Sequence, residues 1–165
     1  MSPLRRWLAI VCAVSAAAAF AVAVQGSAWW RVGDEVGIGT VSSRHCFGGG
    51  ACQRTGLGWA GGTDTWVRAG SATYAAGLVA ALMLLALAGA LAARARGRLL
   101  AASAGVATLT AAVVGTVFVI NRPTTVAGTE ADYGQLLFAL AIALAAGVVG
   151  TTLWRTRAGA GSAPR

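Results

Sequence analysis

Four uncharged apolar stretches constrain this chain more than any other feature. Residues 7–24, 74–93, 99–120 and 133–154 form runs of 18, 20, 22 and 22 residues without Asp, Glu, Lys or Arg. A helix rises about 1.5 Å per residue and the hydrocarbon core of a bilayer is about 30 Å thick, so about 20 residues cross it. Unpaired backbone groups are costly in lipid, which leaves helices and closed barrels as the spanning structures. The runs lack the strict alternation of a barrel strand, so four transmembrane helices are expected at about these bounds. Composition agrees: 57% of residues are hydrophobic and only 11% charged, against about a quarter charged in a soluble domain. The expected fold is an all-α membrane protein. It is one four-helix bundle over residues 1–157, with a small polar tail at 158–165 that lacks the means to bury itself.

Arginine placement orients the bundle. Arg5, Arg6, Arg94, Arg96, Arg98, Arg155, Arg157 and Arg165 all fall on one side, with no acid among them. On the other side Arg31, Arg44, Arg54, Arg68 and Arg122 are balanced by Asp34, Glu35, Asp64, Glu130 and Asp132. The formal charge of +8 therefore belongs to one face. By the positive-inside rule that face is cytoplasmic. This predicts a multi-pass protein of the cell membrane, with both termini inside and residues 25–73 outside. The basic excess then reports topology and attraction to anionic lipid headgroups. No nucleic-acid motif accompanies it. The first run exceeds the usual signal-peptide core, so a retained helix is expected.

The runs are chemically quiet. Relays and ion pathways normally use intramembrane acids, bases or histidines. A charge-free span set argues against a proton- or ion-coupled transporter. No phosphate-binding loop, dinucleotide fingerprint or nucleophile elbow is present. No catalytic residue, cofactor or metal site is assigned. Thr108, Thr110 and Thr116 are expected to bond their own helix backbone. Two small-residue stripes, Ser103/Ala107/Ala111/Gly115 and Ala143/Gly147/Thr151, are expected to pack within the bundle. Glu130 and Asp132 stand before the fourth run, where acids favour the positive helix end.

The segment 25–73 gathers the reactive residues: two of the three cysteines, the one histidine and four of the six tryptophans. Val36, Ile38 and Thr40 alternate with Gly37, Gly39 and Val41, which predicts a strand with one apolar face. Residues 44–47 continue the pairing, Gly48-Gly49-Gly50 turns the chain back, and residues 51–55 return. Cys46 and Cys52 flank that turn, at a reach that suits a cross-strand disulfide. An oxidising outer compartment favours the bond. Two alternatives use the same residues. A redox dithiol normally has two intervening residues beside a helix start, whereas five separate this pair. A metal site would draw on His45, Cys46 and Cys52. Cys12 is expected to pack as a small apolar residue.

Trp29, Trp30, Trp59 and Trp66 have two readings. With Leu57, the last two can pack onto Trp29 and Trp30 to cap the outer end of the bundle. Alternatively the four form an exposed patch for partner contact. The cap is the preferred reading.

Four runs, an early tryptophan at Trp29 or Trp30 and the later pair Cys46 and Cys52 together resemble the claudin and peripheral-myelin-protein type of tetraspan membrane protein. In this chain that would be a bacterial-type member or look-alike. The family's Gly-Leu-Trp triplet, expected before the first cysteine, has only an interrupted counterpart, Gly56-Leu57-Gly58-Trp59, after the second. Barrier formation therefore does not carry over. The resemblance implies a non-enzymatic membrane protein, structural or accessory, that acts through lateral or outer-face contacts with the bilayer, other membrane proteins or itself. The rival classes are a thiol–disulfide oxidoreductase using Cys46 and Cys52, and a small-molecule or ion conduit.

Overall fold

The computed structural model describes residues 2–26, 28–46, 51–60, 63–95, 97–123 and 129–160, with side chains as far as residue 154. Among them are four helices: α1 (Pro3–Gln25), α2 (Asp64–Ala92), α3 (Arg98–Ile120) and α4 (Tyr133–Ala160). All four are long and apolar enough to cross a membrane. They form a ring: α1 packs on α2 and α4, α2 packs also on α3, and α3 meets α4. Sequential helices that pack on one another make an up-and-down bundle, here with one long connection between α1 and α2.

Each helix buries one narrow stripe. On α1 it is Ala13, Ala16, Ala17, Phe20, Ala23 and Val24. On α3 it is Ala101, Ala104, Thr108, Ala111, Gly115 and Phe118. The alternating steps of three and four keep the seam on a straight contact line. This corrects the small-residue stripes in part: Ala111 and Gly115 are buried as expected and Ala107 is half-buried against the core. Ser103, Ala143, Gly147 and Thr151 are exposed, because steps of four alone drift around a helix of 3.6 residues per turn. Thr108 and Thr116 each donate to the carbonyl four residues back, on Ala104 and Ala112, at 2.8 Å.

Helix α2 starts ten residues before the expected position 74. The apolar run marks only the stretch that is apolar enough to cross a membrane, and a helix need not stop where charge begins. Thr63 caps it, its hydroxyl accepting from the Trp66 amide at 3.3 Å, with Asp64 in the first turn. Both features favour a helix start. The non-helical connection between α1 and α2 is correspondingly shorter than 25–73. The expected disordered tail begins at 158, yet the backbone stays helical to Ala160; residues 161–165 lie outside the described set.

At the end of the bundle away from Arg94 sits a five-stranded antiparallel sheet in the order β4-β3-β2-β1-β5. Its strands are β1 (Trp30–Val32), β2 (Val36–Ile38), β3 (Ser42–His45), β4 (Gln53–Gly56) and β5 (Glu130–Ala131). The expected β element is thus present but larger. The long loop supplies four strands, and the connector before α4 supplies the fifth. The Gly48-Gly49-Gly50 turn lies outside the described residues. As expected, Ile38 and Thr40 are buried while Val41 is exposed.

Candidate functional site

Among the described residues, polar and charged side chains gather mainly on the sheet, and its two faces differ. The inner face carries Trp30 and Ile38, and it closes on the bundle through aromatic rings. Trp29, Trp30 and Trp66 are no more than 1% exposed. Phe118, from the end of α3, sits among them with ring centroids 5.5, 5.0 and 5.2 Å away. Trp29 donates its indole N–H to the Ala23 carbonyl at 2.9 Å, and Trp66 to the Phe118 carbonyl at 3.1 Å. Each indole thus keeps a partner while its ring is buried, as buried tryptophans require. Three of the four tryptophans considered for partner contact therefore offer a partner no surface. Their rings are consumed in plugging the bundle. Trp59 differs: it lies on a 3-10 turn (Leu57–Ala60) and is 47% exposed.

His45 is half-buried. It lies edge-on to Trp59, with centroids 4.6 Å apart, and its Nε2 is 3.0 Å from Ser43 Oγ. Ser43 also meets Thr55 Oγ1 at 2.9 Å and accepts the Trp59 indole N–H. A Ser–His contact invites a nucleophile–base reading. Here the hydroxyl is buried and already engaged by three side chains, so the group acts as a polar clasp joining β3, β4 and the 3-10 turn.

The outer face is basic. The register places Arg31 opposite Gly37, Gly37 opposite Arg44, and Arg44 opposite Arg54 on four adjacent strands. Side chains opposite one another share a face, so three arginines and one glycine form a row across the sheet. Arg31 is paired: its guanidinium reaches Asp132 Oδ2 at 3.0 Å, with the Asp132 side chain only 11% exposed. Asp132 also accepts the Tyr133 amide at 2.7 Å. The helix-end role expected of Asp132 is therefore joined by a second one, pinning β1 to the start of α4. Arg31 is half exposed, and exposed ion pairs contribute about 0–1 kcal/mol. We expect Asp132→Asn to lower stability by no more than about 1 kcal/mol, read as the unfolding midpoint in detergent.

Cys46 and Cys52 are disulfide-bonded, their sulfurs 2.08 Å apart. They flank the β3–β4 connection, where they were expected. Both sulfurs are thereby committed to each other. Cys12 lies part-buried on α1 as a free thiol. The bond closes a small ring, so it constrains the unfolded chain by about 2 kcal/mol. Cys46→Ser with Cys52→Ser is expected to lower the sheet's resistance to proteolysis by that amount, leaving helix content by circular dichroism unchanged.

No family model matches the chain, and no curated protein is significantly similar to it.

Proposed function

We propose that this is an integral membrane protein, structural or accessory in kind, that works through contacts made laterally and at its outer face. The orientation follows the arginines: both termini are cytoplasmic, and the sheet lies outside. One observation carries the reading. Ordered polar groups concentrate in the stapled sheet, while the bundle interior is filled by Ala, Leu, Val and Phe. The buried hydroxyls Thr73 and Thr108 are spent on their own helices. Such an interior supplies shape and little chemistry, which favours a contact role over catalysis or conduction.

The claudin-type reading draws support from the helix count, from the sheet built mainly by the long first connection, and from the disulfide within it. Contact would fall on the exposed strand β4 and on Trp59. Purification in mild detergent tests this. A native mass above that of the monomer, or a stoichiometric companion lost on Trp59→Ala, is the expected result. A strictly monomeric particle with no companion, whether extracted from native membranes or reconstituted, contradicts it. The oxidoreductase alternative has a separate assay. A Cys46–Cys52 bond that forms trapped mixed disulfides under mild reductant would favour that reading instead.

A further inference from the structure

The outer face of the sheet bounds a cavity of about 360 Å³, closed on the far side by the end of α1. Arg31, Arg44 and Arg54 line it together with Asp34, Glu35 and Asp132. Gly37 stands in the middle of the row, where Ala28 packs so closely that an added Cβ would lie 3.2 Å from its methyl.

Three features set Arg44 and Arg54 apart. First, they are directly opposed on adjacent strands, where like charges destabilise the sheet. Second, neither makes an ion pair among the described residues; the guanidinium of Arg44 meets only the Cys52 sulfur, at 3.1 Å, a weak acceptor. Third, the disulfide occupies the next position on the same face. Cys46 follows Arg44 by two residues, and Cys52 precedes Arg54 by two. The covalent rung thus holds two mutually repelling cations side by side. Guanidiniums presented in this way suit a planar or tetrahedral oxyanion, since each offers a fork of donors.

The cavity is not simply basic. Arg31 and Asp132 neutralise each other, leaving two arginines in one cavity with Asp34 and Glu35 on the turn between β1 and β2, whose carboxylates make no ion pair among the described residues. A bare polyanion would meet repulsion from that rim. A ligand with both signs would not, and the volume suits a small molecule rather than a polymer. We propose that the stapled Arg44–Arg54 pair and the Asp34–Glu35 rim bind a small zwitterion. Its phosphate or carboxylate group lies on the two guanidiniums, and its cationic group lies on the two carboxylates. This site stands apart from the contact role proposed above, because it needs no protein partner.

The chemistry has two sources, a free solute and a lipid headgroup, since the cavity adjoins the end of an apolar helix. The test uses the full chain in detergent, with calorimetric titration of O-phosphoethanolamine and of inorganic phosphate. A parallel arm measures retention of phosphatidylethanolamine by native mass spectrometry. Saturable binding of O-phosphoethanolamine, tighter than phosphate, identifies a solute-type site. Selective retention of the phospholipid alone identifies a headgroup site. In either arm Arg54→Gln and Arg44→Gln should each weaken binding by about tenfold or more. Asp34→Asn with Glu35→Gln should abolish the preference over phosphate. Retained disulfide and unchanged near-UV dichroism certify that each variant is folded. Absence of saturable binding in both arms overturns the proposal, as do binding indifferent to both arginine substitutions and equal affinity for phosphate.

Discussion

Phe118→Ala is expected to cost about 3–5 kcal/mol, the range for emptying a buried aromatic site. The ring is fully buried and lies between three tryptophans from two places in the chain. Trp29 and Trp30 belong to the segment entering the sheet, and Trp66 belongs to the first turn of α2. Collapse around the void is resisted, because Trp29 and Trp66 are tethered by their indole N–H groups. Trp29 is further held against Phe138 of α4, with centroids 5.0 Å apart. Phe118 thus joins α2, α3 and the segment entering the sheet through one ring, and Trp29 carries the contact on to α4. Equilibrium unfolding followed by tryptophan emission reads the loss directly, and the native-state spectrum should shift to the red as water reaches the indoles. Phe118→Leu keeps most of the volume and should cost under about 1.5 kcal/mol. A loss below about 1 kcal/mol for the alanine variant would mean that the cluster does not consolidate the fold.

The second large effect comes from a pair of identical substitutions on one helix. Gly70 and Gly89 both belong to α2. A Cβ at Gly70 would collide with the carbonyl oxygen of Thr40 and approach Phe118 Cε2 to 2.9 Å. Thr40 cannot yield easily, because its hydroxyl is bonded to the Val24 carbonyl at 3.0 Å at the end of α1. The helix and the β2–β3 turn touch backbone to backbone only because residue 70 has no side chain. At Gly89 an added methyl meets nothing within 4 Å. Alanine is the better helix former by about 1 kcal/mol, so that preference acts unopposed at residue 89. We expect Gly89→Ala to raise stability by up to about 1 kcal/mol and Gly70→Ala to lower it by about 1–3 kcal/mol. The two variants carry the same chemical change, so opposite shifts in unfolding midpoint isolate the contact. Equal shifts would place the turn away from α2.

Much of this fold is written locally, and some of it is not. The four helices are legible because an uncharged run of about 20 residues has few other folded destinations. The beginning of α2 was hidden because Asp64 and Arg68 read as loop, although Thr63 before Asp64 carries a cap signal. The hairpin and its disulfide are legible from alternation, three glycines and two flanking cysteines. Strand β5 leaves no such trace. It is two residues long, and its pairing with β1 bridges about a hundred positions, so no local period announces it. The tryptophans show the same limit: spacing cannot tell Trp66, turned inward on the first turn of a helix, from Trp59, half open on a short turn. The arginine row did leave a signal. Arg44-x-Cys46 and Cys52-x-Arg54 are mirror images about the turn. Counting those arginines only toward topology concealed that pairing the strands must oppose them.

The proposed topology puts the sheet outside and the arginine-rich ends inside. Labelling by a membrane-impermeant maleimide tests this in intact cells, using single introduced thiols in a Cys12→Ser background. Arg68→Cys places a thiol on an exposed position near the start of α2, and Arg94→Cys places one on the connector between α2 and α3. The account predicts that Arg68→Cys is labelled in intact cells and Arg94→Cys only after permeabilisation. The reverse pattern, or labelling of both only after permeabilisation, would contradict it.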